Sequence, residues 1–171
     1  MINENIILVG MPGVGKTTVG KELARITGRR FVDLDAELVP IIGPVATYIE
    51  TQGEAAFRKA ESEIIARFSK ERGIVIATGG GCVTIQANFA PLRRSGRIYH
   101  LTCPLTALDT TGRPLSQGGI ERLRELERIR MPLYRAFAHC IIPHRRNEKE
   151  SSDMILQEFY EFYKPVQAKS L

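Results

Sequence analysis

The stretch NIILVGMPGVGKTT, residues 5–18, decides the fold of this 171-residue chain. Residues 5–9 are a short, β-branched apolar run, which predicts a buried strand. Residues 10–17 match the pattern G-x-x-x-x-G-K-[ST] at every fixed position and lie where that strand passes into a helix. Glycines there let backbone N–H groups converge on an anion, and the helix N-terminus adds positive potential. A plain glycine turn is the competing interpretation, but motif and context together favour a nucleoside triphosphate site.

Short apolar runs alternate with helical patterns along the rest of the chain. This alternation predicts an α/β fold of three layers, with a five-stranded parallel sheet between two layers of helices. Such sheets bind ligands beyond the carboxyl ends of their strands. We predict strands over 5–9, 31–34, 74–77, 97–101 and 140–142, and helices over 16–27, 54–72, 85–93, 120–138 and 151–163, with a short helix broken by Pro40, Gly43 and Pro44.

Length and composition exclude several classes of protein. A chain of 171 residues and 43% hydrophobic composition predicts one domain, residues 1–171. No apolar run approaches the roughly 18 residues that a membrane span requires, and the N-terminal residues do not resemble a secretory signal. Three widely spaced cysteines are too few for a disulfide framework or a zinc site. We therefore expect a cytoplasmic protein.

The positive charge of the chain is concentrated in one segment. The formal net charge is +5, yet residues 93–146 contain eleven Arg, no Lys and four acidic residues, so the rest of the chain is slightly acidic. A patch that is entirely arginine is unlike a diffuse solubility charge. It is compatible with a nucleic-acid surface, or with a site for small anions that uses the planar, multi-donor guanidinium group.

Motif and size together narrow the class of nucleotide-binding protein. A GTPase of this fold would carry N-K-x-D after a late strand, and the sequence has no such motif. The D-x-x-G match at 109–112 lies inside a loop, well past a strand end, and we interpret it as chance. A large ATPase would require a longer chain. A kinase for a small molecule or a nucleotide remains.

Candidate acceptor residues follow the second and third strands. Asp33 and Asp35 are spaced i, i+2 at the predicted end of strand two, so we expect both on one face. One carboxylate could bind the water molecules around a metal ion, and the other could bind the hydroxyl group of the acceptor. Alternatively, Asp35 could cap the next helix. Three consecutive glycines, Gly79, Gly80 and Gly81, indicate a close approach to the backbone after strand three.

Charged residues of two helices and one loop complete the candidates. Glu54, Arg58 and Glu61 share a helix face, and spacing alone favours a surface ion-pair ladder over a substrate-binding arginine. The Gly-flanked loop at 109–120 carries Arg113 and has the character of a short lid that excludes water. Arg130 stands just before Pro132 in a helix otherwise rich in alternating charge.

In this order the motifs resemble the shikimate kinase family, whose fold is like that of the nucleoside monophosphate kinases. The resemblance covers roughly residues 5–163, through GMPGVGKTT (10–18), FVDLD (31–35), GEAAFRKAE (53–61), ATGGG (77–81), GRPL (112–115) and RMPLYR (130–135). It implies transfer of the γ-phosphoryl group of ATP to the 3-hydroxyl of shikimate, with Mg²⁺.

The resemblance also implies roles for individual residues. Lys16, Asp35 and Arg113 would be catalytic, Asp35 as the base and Arg113 as the lid arginine. Thr17 would bind Mg²⁺ and Asp33 its water shell. The remaining assignments are nucleotide binding by Gly13, Val14, Gly15, Lys16, Thr17, Thr18, Arg113 and Arg146, and shikimate binding by Asp35, Arg58, Gly79, Gly80, Gly81 and Arg130.

Two alternatives stay open at this point. Another small kinase of the same fold, for a nucleoside monophosphate or gluconate, shares the phosphate loop. A nucleic-acid-binding ATPase module would use the arginine segment, but the chain lacks the lysines and interleaved aromatic residues of single-strand grooves. We expect ATP and shikimate as partners, no nucleic acid, no membrane, and a monomer.

Overall fold

A single parallel sheet organises the part of the chain that the computed structural model describes, residues 2–109 and 119–164. Its strands lie in the order β2-β3-β1-β4-β5, and each neighbouring pair is parallel. The α/β sheet architecture predicted from the sequence is confirmed. The strands are β1 (Asn5–Val9), β2 (Phe31–Asp33), β3 (Val75–Ala77), β4 (Gly96–Thr102) and β5 (Cys140–Pro143).

Helices connect these strands and cover both faces of the sheet. Three short 3₁₀ turns cover residues 82–84, 86–88 and 105–107. The first two lie around residue 85, where the sequence predicted that a helix begins. The α-helices are α1 (Lys16–Thr27), α2 (Leu34–Ile42), α3 (Val45–Gln52), α4 (Glu54–Phe68), α5 (Phe89–Ser95), α6 (Gly119–Phe137) and α7 (Glu148–Phe162).

The core consists of two apolar clusters, one on each face of the sheet. Alternate residues of β1 separate between them: Ile6 and Leu8 pack with residues of α1 and α7, whereas Ile7 and Val9 pack with residues of α2, α4 and α6. All four side chains are fully buried. This explains why the strand is a continuous apolar run instead of an alternating one.

The connections place a crevice between β1 and β4. β1 continues into α1 on one face, whereas the chain after β4 leads to α6 on the other face. Neighbouring parallel strands whose connections diverge in this way form the ligand-binding switch point of an α/β sheet. The glycine-rich loop after β1 lies at this point.

Several element boundaries differ from the sequence prediction for local reasons. Strand β2 ends at Asp33 because that carboxylate accepts hydrogen bonds from the backbone N–H groups of Asp35 and Ala36 and so caps α2. Helix α7 begins at Glu148, since the Asn147 side chain accepts from the N–H of Glu150. Helix α4 ends at Phe68, earlier than the predicted residue 72.

A buried histidine on β4 makes the fold sensitive to acid. His100 is 1% exposed, and neither of its ring nitrogens has a hydrogen-bond partner in the described part of the chain. Its ring stacks on Tyr134, with 4.7 Å between centroids. Burial, reinforced by the positive charges of Lys16 and Arg135, lowers the pKa of His100 to about 4.

We expect His100 to destabilise the protein as the pH falls. The unfolded chain takes up a proton near a pKa of about 6.5, but folded His100 resists protonation until a pKa of about 4, so stability is lost between these values. The contribution is about 2.5 kcal/mol between about pH 7.5 and about pH 4.5. Urea unfolding of the wild type and of His100→Phe, which keeps an aromatic ring on Tyr134, measures it. Equal pH dependence of the two proteins would contradict the assignment.

Among the described residues, no helix combines the length and the apolar character that spanning a membrane demands.

Candidate active site

The loop after β1 forms the floor of a cavity of about 300 Å³ at the crevice between β1 and β4. Gly13 and Gly15 have φ angles of 79° and 105°, a region that residues with a Cβ rarely adopt. A Cβ on Gly13 would overlap the carbonyl oxygen of Asp109, whose N–H donates to the Gly13 carbonyl at 3.1 Å. The glycines therefore allow the loop to be tightly curled and to pack against the chain that follows β4.

Residues predicted to bind the nucleotide surround this one cavity. Across it lie residues from the ends of β2 and β3, from the chain after β4, and from the connection between β5 and α7. The predicted nucleotide residues that line it are Gly13, Val14, Gly15, Lys16, Thr17, Thr18 and Arg146, and the other lining residues are Asp33, Asp35, Thr78, Cys103, Ala107, Asp109, His144 and Glu148.

Lys16 is held inside the loop that contains it. Its side chain is buried, and its ammonium group donates to the carbonyl oxygens of Gly10 at 2.8 Å and Met11 at 3.0 Å. These bonds fix a positive charge at the cavity floor, where the N-terminus of α1 also concentrates positive potential. The arrangement favours an anion as the ligand of this cavity.

Thr17 and Asp33 meet at the edge of the same cavity. The Thr17 hydroxyl donates to Oδ2 of Asp33 at 2.6 Å, while Oδ1 of Asp33 caps α2. Hydroxyl and carboxylate oxygens are the donors that Mg²⁺ accepts, and Mg²⁺ commonly keeps several water molecules and the phosphates of its substrate as its other ligands. Residues 2–109 and 119–164 contain no cluster of three or more acidic, His or Cys side chains that could hold a metal ion.

Asp33 and Asp35 reach the cavity by a different route from the one predicted. The prediction that both point to one face of strand two is wrong, because the strand ends at Asp33 and Asp35 belongs to the first turn of α2. The alternative that Asp35 caps the helix is also wrong, since Asp33 does so. Both carboxylates nevertheless line the cavity.

The acceptor candidates converge on the three glycines after β3. A Cβ on Gly79 would overlap Glu61 and lie 2.8 Å from Oδ1 of Asp35. A Cβ on Gly81 would overlap the guanidinium group of Arg58. Gly79 and Gly81 therefore each make space for charged side chains of other elements. This agrees with the prediction that another group approaches the backbone closely here.

Gly80 connects this cluster to the phosphate loop and to α6. A Cβ on Gly80 would lie 2.7 Å from Pro12 of the phosphate loop, and the hydroxyl of Tyr134 donates to the Gly80 carbonyl. Tyr134 belongs to the RMPLYR stretch that carries the family resemblance, but no role was predicted for it from the sequence.

The Glu54–Arg58–Glu61 ladder is mostly buried, so the surface interpretation favoured from spacing alone is wrong. The exposed fractions of the Arg58 and Glu61 side chains are 9% and 1%. Arg58 forms ion pairs with Glu61 at 2.8 Å and Glu54 at 3.2 Å. Removing two charged groups from water is costly, so a buried ion pair often adds little to the stability of the fold. Buried charges of this kind are common at ligand-binding sites.

Glu61 was predicted only as a charged partner on the helix face of Arg58, and the structure makes it a buried member of this site. Its Oε2 accepts from Arg58, but its Oε1 is buried without a hydrogen-bond partner in the described part of the chain. Burial raises the pKa of Glu61, an effect that the neighbouring Arg58 partly offsets. Burial also opposes the charge of Arg58, but the two glutamates raise the pKa of Arg58 above its ordinary value.

Arg130 extends from α6 toward the same cluster. It is 5% exposed, and its positive charge acts to lower the pKa values of Glu61 and Tyr134, which burial raises. It forms no ion pair with the residues that the structure describes. Two buried guanidinium groups, Arg58 beside Gly81 and Arg130 near Glu61, thus belong to one cluster, an arrangement suited to a small carboxylate.

Arg146 and Arg113 are the remaining residues predicted to bind the nucleotide. Arg146 is exposed at the rim of the cavity, has a φ of 57°, and donates to the Ala107 carbonyl at 2.6 Å. Arg113 and most of the predicted lid lie outside the described residues; helix α6 already begins at Gly119.

Cys82, which follows the glycines, is fully buried, and burial raises the pKa of its thiol to about 12.

A phosphate loop at the switch point, next to a carboxylate and two desolvated arginines, defines a small P-loop kinase. A family model described as shikimate kinase matches residues 12–162 of this chain. The chain belongs to the shikimate kinase family.

Individual relatives agree with this assignment. A shikimate kinase of Nitrosomonas europaea is 44% identical over 146 residues, which are 81% of this chain and 69% of that protein. The structure of shikimate kinase from Acinetobacter baumannii in complex with shikimate has a TM-score of 0.89 and 34% identity, with coverage of 95% of this chain and 96% of that one.

A more distant structure shares only the fold. A gluconokinase from Sinorhizobium meliloti has a TM-score of 0.62 at 16% identity, over 94% of this chain and 95% of that one. The alternative of a gluconate-type kinase therefore gains no support beyond a common architecture.

Proposed function

We propose that this protein transfers the γ-phosphoryl group of ATP to the 3-hydroxyl of shikimate, giving shikimate 3-phosphate and ADP. The observation that carries the proposal is the position of Asp35. Its carboxylate lines the phosphate-loop cavity and also lies 2.8 Å from the place that a Gly79 Cβ would occupy, beside Arg58 and Glu61. One carboxylate therefore stands between a site for phosphates and a site for a carboxylate-bearing acceptor.

The nucleotide half of the site uses the residues around the phosphate loop. Backbone N–H groups of residues 13–18 would hold the phosphates, and Lys16 would move from the loop carbonyls toward the β- and γ-phosphates. Thr17 and Asp33 fit Mg²⁺, the hydroxyl as a ligand and the carboxylate through water. When bound, Mg²⁺ supplies neutralisation of the charge on the phosphate oxygens.

The acceptor half would hold shikimate by its carboxylate and its hydroxyls. Arg58, kept in place by Glu61, and Arg130 would bind the carboxylate through paired N–H donors. The backbone of residues 79–81, on which the side chains of Asp35, Arg58 and Glu61 converge, would contact the ring. The unpartnered Oε1 of Glu61 gives a further acceptor for a hydroxyl.

Asp35 would act on the attacking hydroxyl. It accepts the proton as the acceptor oxygen forms a bond to the γ-phosphorus and the bond to the ADP oxygen breaks. Phosphoryl transfer depends mainly on positioning and charge neutralisation, which Lys16 and the two arginines supply. We propose in addition that Arg113 neutralises phosphate charge from the lid and that Arg146 packs against adenine. A single-domain, cytoplasmic monomer stays a prediction.

ADP release with different acceptors tests the function. We expect turnover in a coupled assay only when shikimate, ATP and Mg²⁺ are all present. Gluconate and nucleoside monophosphates are the comparison acceptors, and single-stranded and duplex nucleic acids test for stimulated ATP hydrolysis. Turnover with gluconate, a nucleoside monophosphate or a nucleic acid, and none with shikimate, would contradict the proposal.

Replacing Arg58 with Lys should weaken shikimate binding by about tenfold to a hundredfold, because lysine cannot supply the planar pair of donors. ATP binding should change by less than about twofold, since Arg58 does not line the phosphate-loop cavity. Calorimetric titration with each substrate measures both effects.

Arg67→Lys provides the matched control, because Arg67 is an exposed arginine on the same helix. It should bind both substrates as the wild type does. Equal losses of ATP and shikimate affinity in Arg58→Lys would indicate a folding defect and would contradict the proposed role.

A further inference from the structure

His144 forms part of the wall of the phosphate-loop cavity, directly after β5. It is 6% exposed, and its backbone N–H donates to the Thr102 carbonyl at 2.7 Å. Nδ1 of the ring lies 2.8 Å from the hydroxyl oxygen of Ser151 on α7. Backbone and ring are therefore both fixed, one by β4 and the other by α7.

The other edge of the ring faces the phosphate loop. A Cβ on Gly15 would lie 2.7 Å from Nε2 and 3.0 Å from Cδ2 of His144, so this edge packs against the glycine. Nε2 has no hydrogen-bond partner in the described part of the chain, although the residue lines the cavity. A ring nitrogen of a largely buried side chain, placed beside a loop built to bind phosphates, is suited to bind a ligand in the cavity.

Ser151 allows His144 to be a donor in either protonation state. A serine hydroxyl both donates and accepts. When it donates to Nδ1 of a neutral ring, the proton of that ring lies on Nε2; when the ring is charged, both nitrogens carry protons and the Ser151 oxygen accepts. Nε2–H is thus available toward the cavity in both cases.

We propose that Nε2–H of His144 donates a hydrogen bond to the phosphate part of the bound nucleotide, next to Gly15, and that this bond strengthens when His144 is protonated. The inference rests on the proposed ATP site and adds to it a nucleotide-contacting residue outside the phosphate-loop motif. The spacing of the histidines in the sequence does not indicate such a contact. It arises because His144, the residue after β5, packs against Gly15 of the phosphate loop.

The charges around His144 determine the sign of its pH effect. In the free protein burial lowers the pKa of His144, Arg146 adds to this, and Glu148 opposes it. A bound polyphosphate raises the pKa of the ring, so binding takes up a proton and nucleotide affinity rises as the pH falls. The charged and titratable groups that line the phosphate-loop cavity with His144 are Lys16, Asp33, Asp35, Cys103, Asp109, Arg146 and Glu148. A second cavity beside His144 adds His100, Glu127, Arg135 and Arg145.

Binding of ATP with saturating Mg²⁺, measured by calorimetry between about pH 5.5 and about pH 8.5, tests the inference. We expect His144→Ala to raise the Kd for ATP about tenfold near neutral pH, the effect of losing one charge-assisted hydrogen bond. The ratio of the Kd values of variant and wild type should grow as the pH falls. His144→Gln, whose amide can supply an N–H near the position of Nε2, should recover part of the affinity but not the pH dependence.

The affinity for shikimate is the internal control and should stay within about twofold of the wild type. His100 and His139 remain in every variant, so their titration cancels in the ratio.

An unchanged ATP affinity in His144→Ala, or an equal loss of ATP and shikimate affinity, would overturn the inference. If His144→Ala fails to fold, a pH dependence in His144→Gln that matches the wild type would overturn it. Failure of the proposed function is distinguishable, because the wild type would then bind ATP without forming ADP in the presence of shikimate, whereas failure of the inference leaves shikimate turnover in place.

Discussion

Asp35→Asn is expected to lower kcat with shikimate by about 10²- to 10⁴-fold, the range for loss of a general base. The amide keeps the size of the side chain, and the cap of α2 is provided by Asp33, so the helix should remain intact. ATP and shikimate should still bind, because the arginines and the phosphate loop are unchanged. Single-turnover measurement of ADP formation, with calorimetry for both ligands, separates chemistry from binding.

Glu50→Gln is the matched control, since Glu50 is an exposed acid on the neighbouring helix α3. It should retain the wild-type rate. Near-normal turnover by Asp35→Asn would mean that another group accepts the proton, and the assignment of Asp35 would be wrong.

Lys16→Met is expected to lower kcat by on the order of 10³-fold, because one charge that stabilises the transferring phosphoryl group is lost. Lys16 also donates to the carbonyls of Gly10 and Met11, so the loop loses internal bonds as well. ATP affinity should therefore fall too, whereas shikimate affinity should be preserved. Steady-state kinetics combined with ligand titrations distinguish these effects.

Lys21→Met removes an exposed lysine of the same helix and should leave turnover and binding unchanged. A wild-type kcat in Lys16→Met would contradict the nucleotide site itself. A lower unfolding temperature together with the loss of both ligands would instead reveal damage to the fold.

The core of the fold could be predicted because its signals are local. β1 and α1 have the predicted boundaries, since a continuous apolar run, a glycine motif and Gly28 after the helix each act within a few residues. Gly28 has a φ of 68° and ends α1. The order of the strands, in contrast, depends on packing between distant segments, and no local pattern specifies it.

The acceptor site could be predicted only in part, for a related reason. Glu54, Arg58 and Glu61 have the spacing of a surface ladder, and only the approach of the 79–81 turn buries the latter two. Strand two was predicted to continue to residue 34, because sequence spacing does not reveal that the Asp33 carboxylate accepts from the N–H groups of Asp35 and Ala36. The burial of a side chain depends on tertiary packing, and helix capping depends on the local backbone conformation. Neither can be predicted from the spacing of residues in the sequence.

The arginine-rich segment 93–146 divides into groups with different surroundings. Arg122 and Arg124 pair with Glu125 and Glu121 on the surface of α6, as alternating charge predicts. Arg97 pairs with Glu158 of α7. Arg130, in contrast, is buried beside the acceptor cluster. These four described arginines therefore have three different surroundings, two of which are ion pairs with glutamates of the chain itself.

The identity of the product tests the central claim most directly. Phosphorus and proton NMR of a reaction containing the protein, ATP, Mg²⁺ and shikimate should show one new phosphate monoester coupled to the proton on carbon 3 of shikimate, formed in equal amount to ADP. ADP formed together with free phosphate, or a phosphate on another acceptor or another hydroxyl, would contradict it.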